Sequence, residues 1–439
     1  MDAAPVPPSP RRRGRDAPGA GPPGGRWLPL VAVLLLAFNL RPAVNALGAV
    51  VPELRDDTGL PASVTGVLLS LPMIAFAVVG LAAHWLARRF GAHRTVVVAL
   101  LALTVGQVLR VAVPGPAALF GGSLLGLAGI ALANVVLPGL VRLHFPDRIP
   151  LMTAAYTTTL TVGAAASAAL ANPLEHALDA DWRTGIGAWA IVSGSALVPW
   201  IALALQPPTP AGGAVPAPGA RLPLRALARS GVAWTLSAYF GVQAMLAYVT
   251  FGWLPEILTD AGMSRSSAAY PSAVIIVVGV PPAMLVGPLL ARTRRPRLLV
   301  AGLAACYVAG FVGLATARHP SVVIVYSVLI GIGTAAFPVA LTLIPMRSRT
   351  ALATTSLSAF VQCAGYSIAA IGPFAFGVLG DLTGGWTVPL LVLAGLAVVQ
   401  AVAGVLAVRP RFVEDDLGTG SAAGAGGAVS AGTPGGSAA

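Results

Sequence analysis

Twelve apolar runs follow one another along the chain at nearly even spacing, and each approaches the ~20 residues that a helix needs to cross ~30 Å of hydrocarbon. We number them spans 1 to 12, over residues 28–51, 63–86, 95–113, 117–141, 150–172, 183–205, 231–254, 267–290, 297–316, 320–344, 351–378 and 386–408. A water-soluble domain has nowhere to bury so much apolar length. Charged residues make up 10% of the 439, against about 25% in soluble domains. The chain therefore reads as an all-α polytopic membrane protein. Its first run is too long for a signal-peptide core and lacks a small-residue cleavage site, so it is read as a retained helix.

Between and around the runs the composition changes. Residues 1–26 are rich in Pro, Gly and Arg and read as a disordered basic tail; residues 409–439 are a Gly/Ala/Ser tail of the same kind. Residues 206–228 form a Pro/Gly-rich linker, which divides the chain into a six-helix bundle over 27–205 and another over 229–408. All 27 basic residues are arginine, and the formal net charge is +12. With both termini in the cytoplasm, 21 arginines fall on the inner side and five (Arg55, Arg110, Arg183, Arg265, Arg318) in outer loops. That asymmetry explains the charge as an orientation signal, so no nucleic-acid partner is expected.

What the chain lacks narrows its chemistry. Without lysine there is neither a P-loop lysine nor a Schiff-base amine. The two cysteines, Cys306 and Cys363, have no zinc spacing, and the five histidines stand apart near segment ends. No metal, cofactor or enzymatic centre is expected, and the tails and linker are too short and simple to fold into a signalling domain.

The two halves carry a repeat. Pro52, Glu53, Asp57, Gly59 and Ser63, after span 1, recur as Pro255, Glu256, Asp260, Gly262 and Ser266, after span 7, at an offset of 203. Leu86-Ala87-Arg88 matches Leu290-Ala291-Arg292 at the next offset, after spans 2 and 8. Parallel halves of this kind are one of the transporter architectures.

The residue on which function turns is Arg41. It stands 13 residues past Leu28, about 20 Å along a helix at ~1.5 Å per residue, with a proline after it. A guanidinium at that depth costs at least ~2.5–3.5 kcal/mol and should face a wet or protein-lined cavity. Pro42 removes a helical hydrogen bond and opens the backbone beside it. Two uses of the cation are open: receiving an anionic or strongly polar solute, or clamping carbonyls of a neighbouring broken helix. Polar stripes add Asn45 on span 1, Asn134 on span 4, Tyr156 on span 5, Gln243 with Tyr248 on span 7, and Gln362 with Tyr366 on span 11. These either line a path or tie helices together.

Asn39-Leu40-Arg41-Pro42-Ala43, leading into Pro52-Glu53-Leu54, resembles the first helix of the cyanate and 2-nitroimidazole transporters, a branch of the major facilitator superfamily. Gly129-Ile130-Ala131 with Asn134, Trp253-Leu254-Pro255, and Gln362 with Gly365-Tyr366 and Gly372-Pro373 carry the resemblance across residues 27–408. It implies the major facilitator fold, twelve helices in two pseudo-symmetric bundles. It also implies alternating access, with a small anion or polar solute docking at Arg41, Asn45, Asn134, Tyr156, Gln243, Tyr248, Gln362 and Tyr366. The superfamily's gating loop after span 2 corresponds to Arg88, Arg89, Gly91 and Arg94, with Arg88 where that family carries aspartate. The chain is thus expected to be a monomeric carrier in a prokaryotic plasma membrane, its partners a small-molecule substrate and the bilayer. A drug exporter of the same superfamily is the alternative, and a non-transporting sensor a distant one.

Overall fold

The computed structural model describes residues 27–177, 181–206, 224–317 and 320–417. The N-terminal tail, most of the linker and residues 418–439 lie outside the described residues. Every regular element among them is helical. Span 1 is broken into Trp27–Asn39 and Pro42–Ala49, and a further helix, Val51–Thr58, continues it. The other spans are Ala62–Phe90, Ala92–Ala112, Pro116–His144, Ile149–Ala177, Trp182–Gly187 with Trp189–Ala204, Gly231–Asp260, Tyr270–Arg292, Pro296–Thr316, Pro320–Gly333 with Ala336–Met346, Ala351–Thr383 and Thr387–Ala407.

Local chemistry sets these boundaries. Asp181, Ser230 and Thr350 cap spans 6, 7 and 11 with their side chains, and Gly384 ends span 11 in the left-handed conformation. Among the described residues eleven helices are long and apolar enough to span a bilayer, against the twelve expected. The twelfth, Ile149–Ala177, has the length, but Thr153, Thr157, Thr158, Thr159 and Thr161 lower its hydropathy. Thr157, Thr159 and Thr161 turn their hydroxyls back onto their own helix, which makes the polarity tolerable in hydrocarbon.

Helix pairing repeats with a shift of six. Span 1 packs on spans 5 and 6, span 2 on 4, and span 3 on 4 and 6; correspondingly span 7 packs on 11 and 12, span 8 on 10, and span 9 on 10 and 12. Between the halves, span 2 lies along span 11 as span 8 lies along span 5, and span 1 meets span 7 on the axis. Ile191, Val198, Met284 and Val402 stand exposed around the perimeter, a surface suited to lipid and hazardous in water.

The C-terminal tail begins later than its composition suggests. Residues 413–416 form a short helix whose acids serve other helices. Glu414 accepts the N–H groups of Arg349 (2.7 Å) and Thr350 (3.1 Å), where span 11 starts. Asp416 accepts from the Ser230 hydroxyl (2.6 Å) and the Val232 N–H (3.0 Å), where span 7 starts. Carboxylates at helix N-termini satisfy orphan N–H groups, and that holds this stretch down.

Candidate functional site

Pro42 has no N–H to give, so the helix that starts at Trp27 stops at Asn39 and a new one starts at Pro42. Arg41 stands at the junction as the N-terminal flanking residue of the second piece, and its carbonyl accepts the N–H groups of Val44 and Asn45. That junction projects the half-buried guanidinium across the gap between the halves. Arg41 Nη1 donates to the Tyr248 hydroxyl on span 7 at 3.3 Å. Among the described residues no carboxylate forms an ion pair with Arg41.

Beside this pair a small void of about 10 Å³ lies between the halves. Ala43, Val44 and Leu47 of span 1, Leu69 and Pro72 of span 2, Leu127 of span 4, and Tyr248, Phe251 and Gly252 of span 7 line it. Buried Asn45 lies alongside, near Phe251, Ser272 and Ile276. Tyr366 of span 11 stacks on Phe76 of span 2 (centroids 5.0 Å apart) and meets Phe240 of span 7 edge-on at 5.1 Å. Arg41, Asn45, Tyr248 and Tyr366 are therefore drawn to one interface.

The remaining sequence candidates go elsewhere. Gln243 is buried inside the second half, where it donates to the Tyr307 hydroxyl at 3.0 Å and accepts from Gln400. It ties spans 7, 9 and 12 together, the second of the two uses open to it. Asn134 donates to the carbonyl of Ile130 (3.1 Å) and Gln362 to the hydroxyl of Ser358 (2.9 Å), each within its own helix. Tyr156, like these two, is half-buried. In the loop after span 2, Arg89 and Arg94 are exposed and Gly91 makes the turn at φ +85°; the Arg88 side chain lies outside the described residues.

Sequence reasoning missed what closes one end of the gap. At the end where spans 1, 7 and 11 finish, Arg55 pairs with buried Glu256, and Arg265 with Asp56, in both cases across the halves. Asp381, at the end of span 11, accepts the N–H groups of Ala62 (3.2 Å) and Ser63 (2.8 Å) and so caps span 2 from the opposite half. The repeat residues Glu53 and Glu256 were the available signal, because they fall where spans 1 and 7 meet. Outside the spans, Asp57 is held below the usual carboxylate range by the Trp182 indole N–H and then by Arg183.

Arg110 was also misplaced by sequence. Read as an outer-loop residue, it lies inside span 3, 3% exposed, with Nη1 3.1 Å from the carbonyl of Ala43. Span 4 comes close to span 3 at Gly122, where a Cβ would lie within 2.7 Å of the Arg110 backbone nitrogen.

Comparison with known proteins fits this architecture. Residues 33–370 match the family model of the Major Facilitator Superfamily. The chain is 32% identical over 387 residues to the 2-nitroimidazole transporter of Escherichia coli (strain K12), covering 88% of this chain and 96% of that one. It is 31% identical over 388 residues to the uncharacterized transporter YycB of Bacillus subtilis (strain 168), covering 88% and 94%. Its fold resembles the inward-facing, unoccupied crystal structure of a bacterial homolog to the human lysosomal transporter Spinster, with a TM-score of 0.71 at 17% identity over 90% of this chain and 99% of that one. The chain belongs to the major facilitator superfamily and is a multi-pass membrane transporter.

Proposed function

We propose that this chain carries a small anion or small polar solute, of cyanate or nitroimidazole type, across a prokaryotic plasma membrane by alternating access between halves 27–205 and 229–408. The observation that carries the reading is the Arg41–Tyr248 contact between the halves at a break in span 1. A neutral phenol is a weak partner for a guanidinium, so most of its five donors stay free for a solute. A solute held by Arg41 on one side and by Tyr248 and Tyr366 on the other binds well only when the halves approach. That difference in binding is what lets it shift the equilibrium between states.

In this reading both termini are cytoplasmic, and the end closed by Arg55–Glu256, Arg265–Asp56 and Asp381 is the outer end. Asn134, Tyr156 and Gln362 lie toward the inner end and line the approach, while the loop with Arg88, Arg89, Gly91 and Arg94 serves the inner gate. The carrier acts as a monomer, and its chemistry is binding alone.

The test is accumulation of radiolabelled 2-nitroimidazole and cyanate in proteoliposomes. Wild-type protein is expected to move at least one of them, and Arg41→Ala to lose about tenfold or more in apparent affinity, the scale of a charge-assisted contact. Equal transport by both proteins would remove Arg41 from the site. Drug resistance on expression, without transport of either small solute, would favour an exporter instead.

A further inference from the structure

We infer that Arg110 is a positioning residue for the Arg41 site: it fixes the second piece of span 1 so that Arg41 points at the opposite half. The inference rests on the docking role proposed for Arg41.

Breaking span 1 leaves Pro42–Ala49 as an eight-residue helix whose direction its own hydrogen bonds cannot fix. Something outside must hold its first turn. Arg110 Nη1 reaches the carbonyl of Ala43 from span 3, 67 residues away and two residues past Arg41. The geometry around it is built. Thr104 Oγ1 and Gln107 Nε2 donate to Ser193 on span 6 at 2.9 and 3.0 Å, which registers span 3 against span 6. Val111 abuts Gly187 further along the same pair of helices. Trp189 lies between those rungs, and its ring meets Phe38 of span 1 at 6.2 Å.

The energetics point away from a purely stabilising role. Nε and Nη2 of Arg110 are buried and have no partner among the described residues. A guanidinium taken out of water for one carbonyl is poorly compensated, and an apolar side chain of similar volume would stabilise the helix packing at least as well. The arginine does what a leucine cannot: it grips a main-chain oxygen two residues from Arg41.

The test uses the full-length protein with 2-nitroimidazole as probe, and hydrogen exchange as a readout that needs no ligand. Arg110→Gln is expected to raise the Kd for the probe about tenfold and to speed amide exchange over residues 44–49. Arg110→Lys, which keeps a donor and the charge, should recover most of both. Gln400→Leu, which breaks a buried amide pair in the other half without touching Ala43 or span 3, should leave the probe's Kd within twofold of wild type. In an Arg41→Ala background Arg110→Gln should cause no further loss of binding.

Wild-type exchange over residues 44–49 in Arg110→Gln would overturn the inference whether or not the probe binds. So would an equal loss from Gln400→Leu, or a full additional loss in the Arg41→Ala background. If Arg41→Ala binds the probe as wild type does, the docking role itself fails, and this inference with it. If Arg41→Ala weakens binding and Arg110→Gln does not, only the positioning role fails.

Discussion

The Trp386 indole N–H donates to Asp260 at 2.7 Å, where span 12 starts and span 7 ends. The Trp182 indole donates to Asp57 at 3.1 Å, where span 6 starts and span 1 ends. The two latches occupy equivalent places in the repeat, at offsets of 203 for the aspartates and 204 for the tryptophans. Each ties the closing helix of its half to the opening one, so the repeat legible as Pro-Glu…Asp…Gly is also a repeat of contacts.

The Asp57 latch makes stability depend on pH in a definite direction. The folded carboxyl titrates below its ordinary value of 3.8, because the Trp182 N–H and Arg183 favour the charged form. A lowered folded pKa gives stability that is fully present above 3.8 and lost as the pH falls through the lower folded value. The difference in thermal midpoint between wild type and Asp57→Asn is therefore expected to be flat from about pH 7 to 5 and to shrink below that, as scanned by detergent-solubilised melting curves. A difference that grows as the pH falls would contradict the latch.

The Arg55–Glu256 pair is expected to hold the gap shut at its end. Arg55→Glu places two carboxylates together, and labelling of a cysteine introduced at Leu47, a cleft-lining position, by an impermeant maleimide should rise several-fold. Native Cys306 and Cys363 are replaced first. The swapped pair, Arg55→Glu with Glu256→Arg, should restore slow labelling. Equal labelling in all three proteins would remove the pair from the gate.

Asp381 caps a helix that lacks any side-chain cap of its own. Asp381→Asn removes the charge that suits a helix N-terminus, a loss of about 1 kcal/mol. Amide exchange at Ala62 and Ser63 is expected to quicken about fivefold, read by mass spectrometry, while exchange at the start of span 4 stays unchanged.

Close helix contact across the halves should be intolerant of a single methyl group. A Cβ on Gly66 would overlap the Pro373 carbonyl and come within 2.8 Å of the Phe374 Cα. Backbone cannot give way as a side chain does, so Gly66→Ala is expected to cost about 1–3 kcal/mol and lower the thermal midpoint. Gly121→Ala, with nothing within 4 Å of the added atom, serves as the control and should leave it unchanged.

The helical plan was readable because span length is written in local composition. The break in span 1 at Arg41 was readable because Pro42 brings no N–H to a helix inside an apolar run. Gln243 was not, because an amide on a helix reads alike whichever neighbour it faces. Its direction is decided by Tyr307 and Gln400, 64 and 157 residues away. Arg110 misled for a related reason. Three residues from the end of an apolar run it looks like a loop charge, and only the packing of span 4 against it through Gly122 shows it enclosed. The closed end of the gap depends on partners more than 200 residues apart, beyond any local pattern.

Gly91 alone separates Phe90, the last residue of span 2, from Ala92, the first of span 3. A connector of one residue has no slack. Any tilt of span 2 against span 11 is therefore passed on to span 3, which carries exposed apolar residues on the outside of the bundle. A fluorophore on exposed Val98 would then report, from outside the protein, on any movement of span 2, whose Leu69 and Pro72 line the void between the halves.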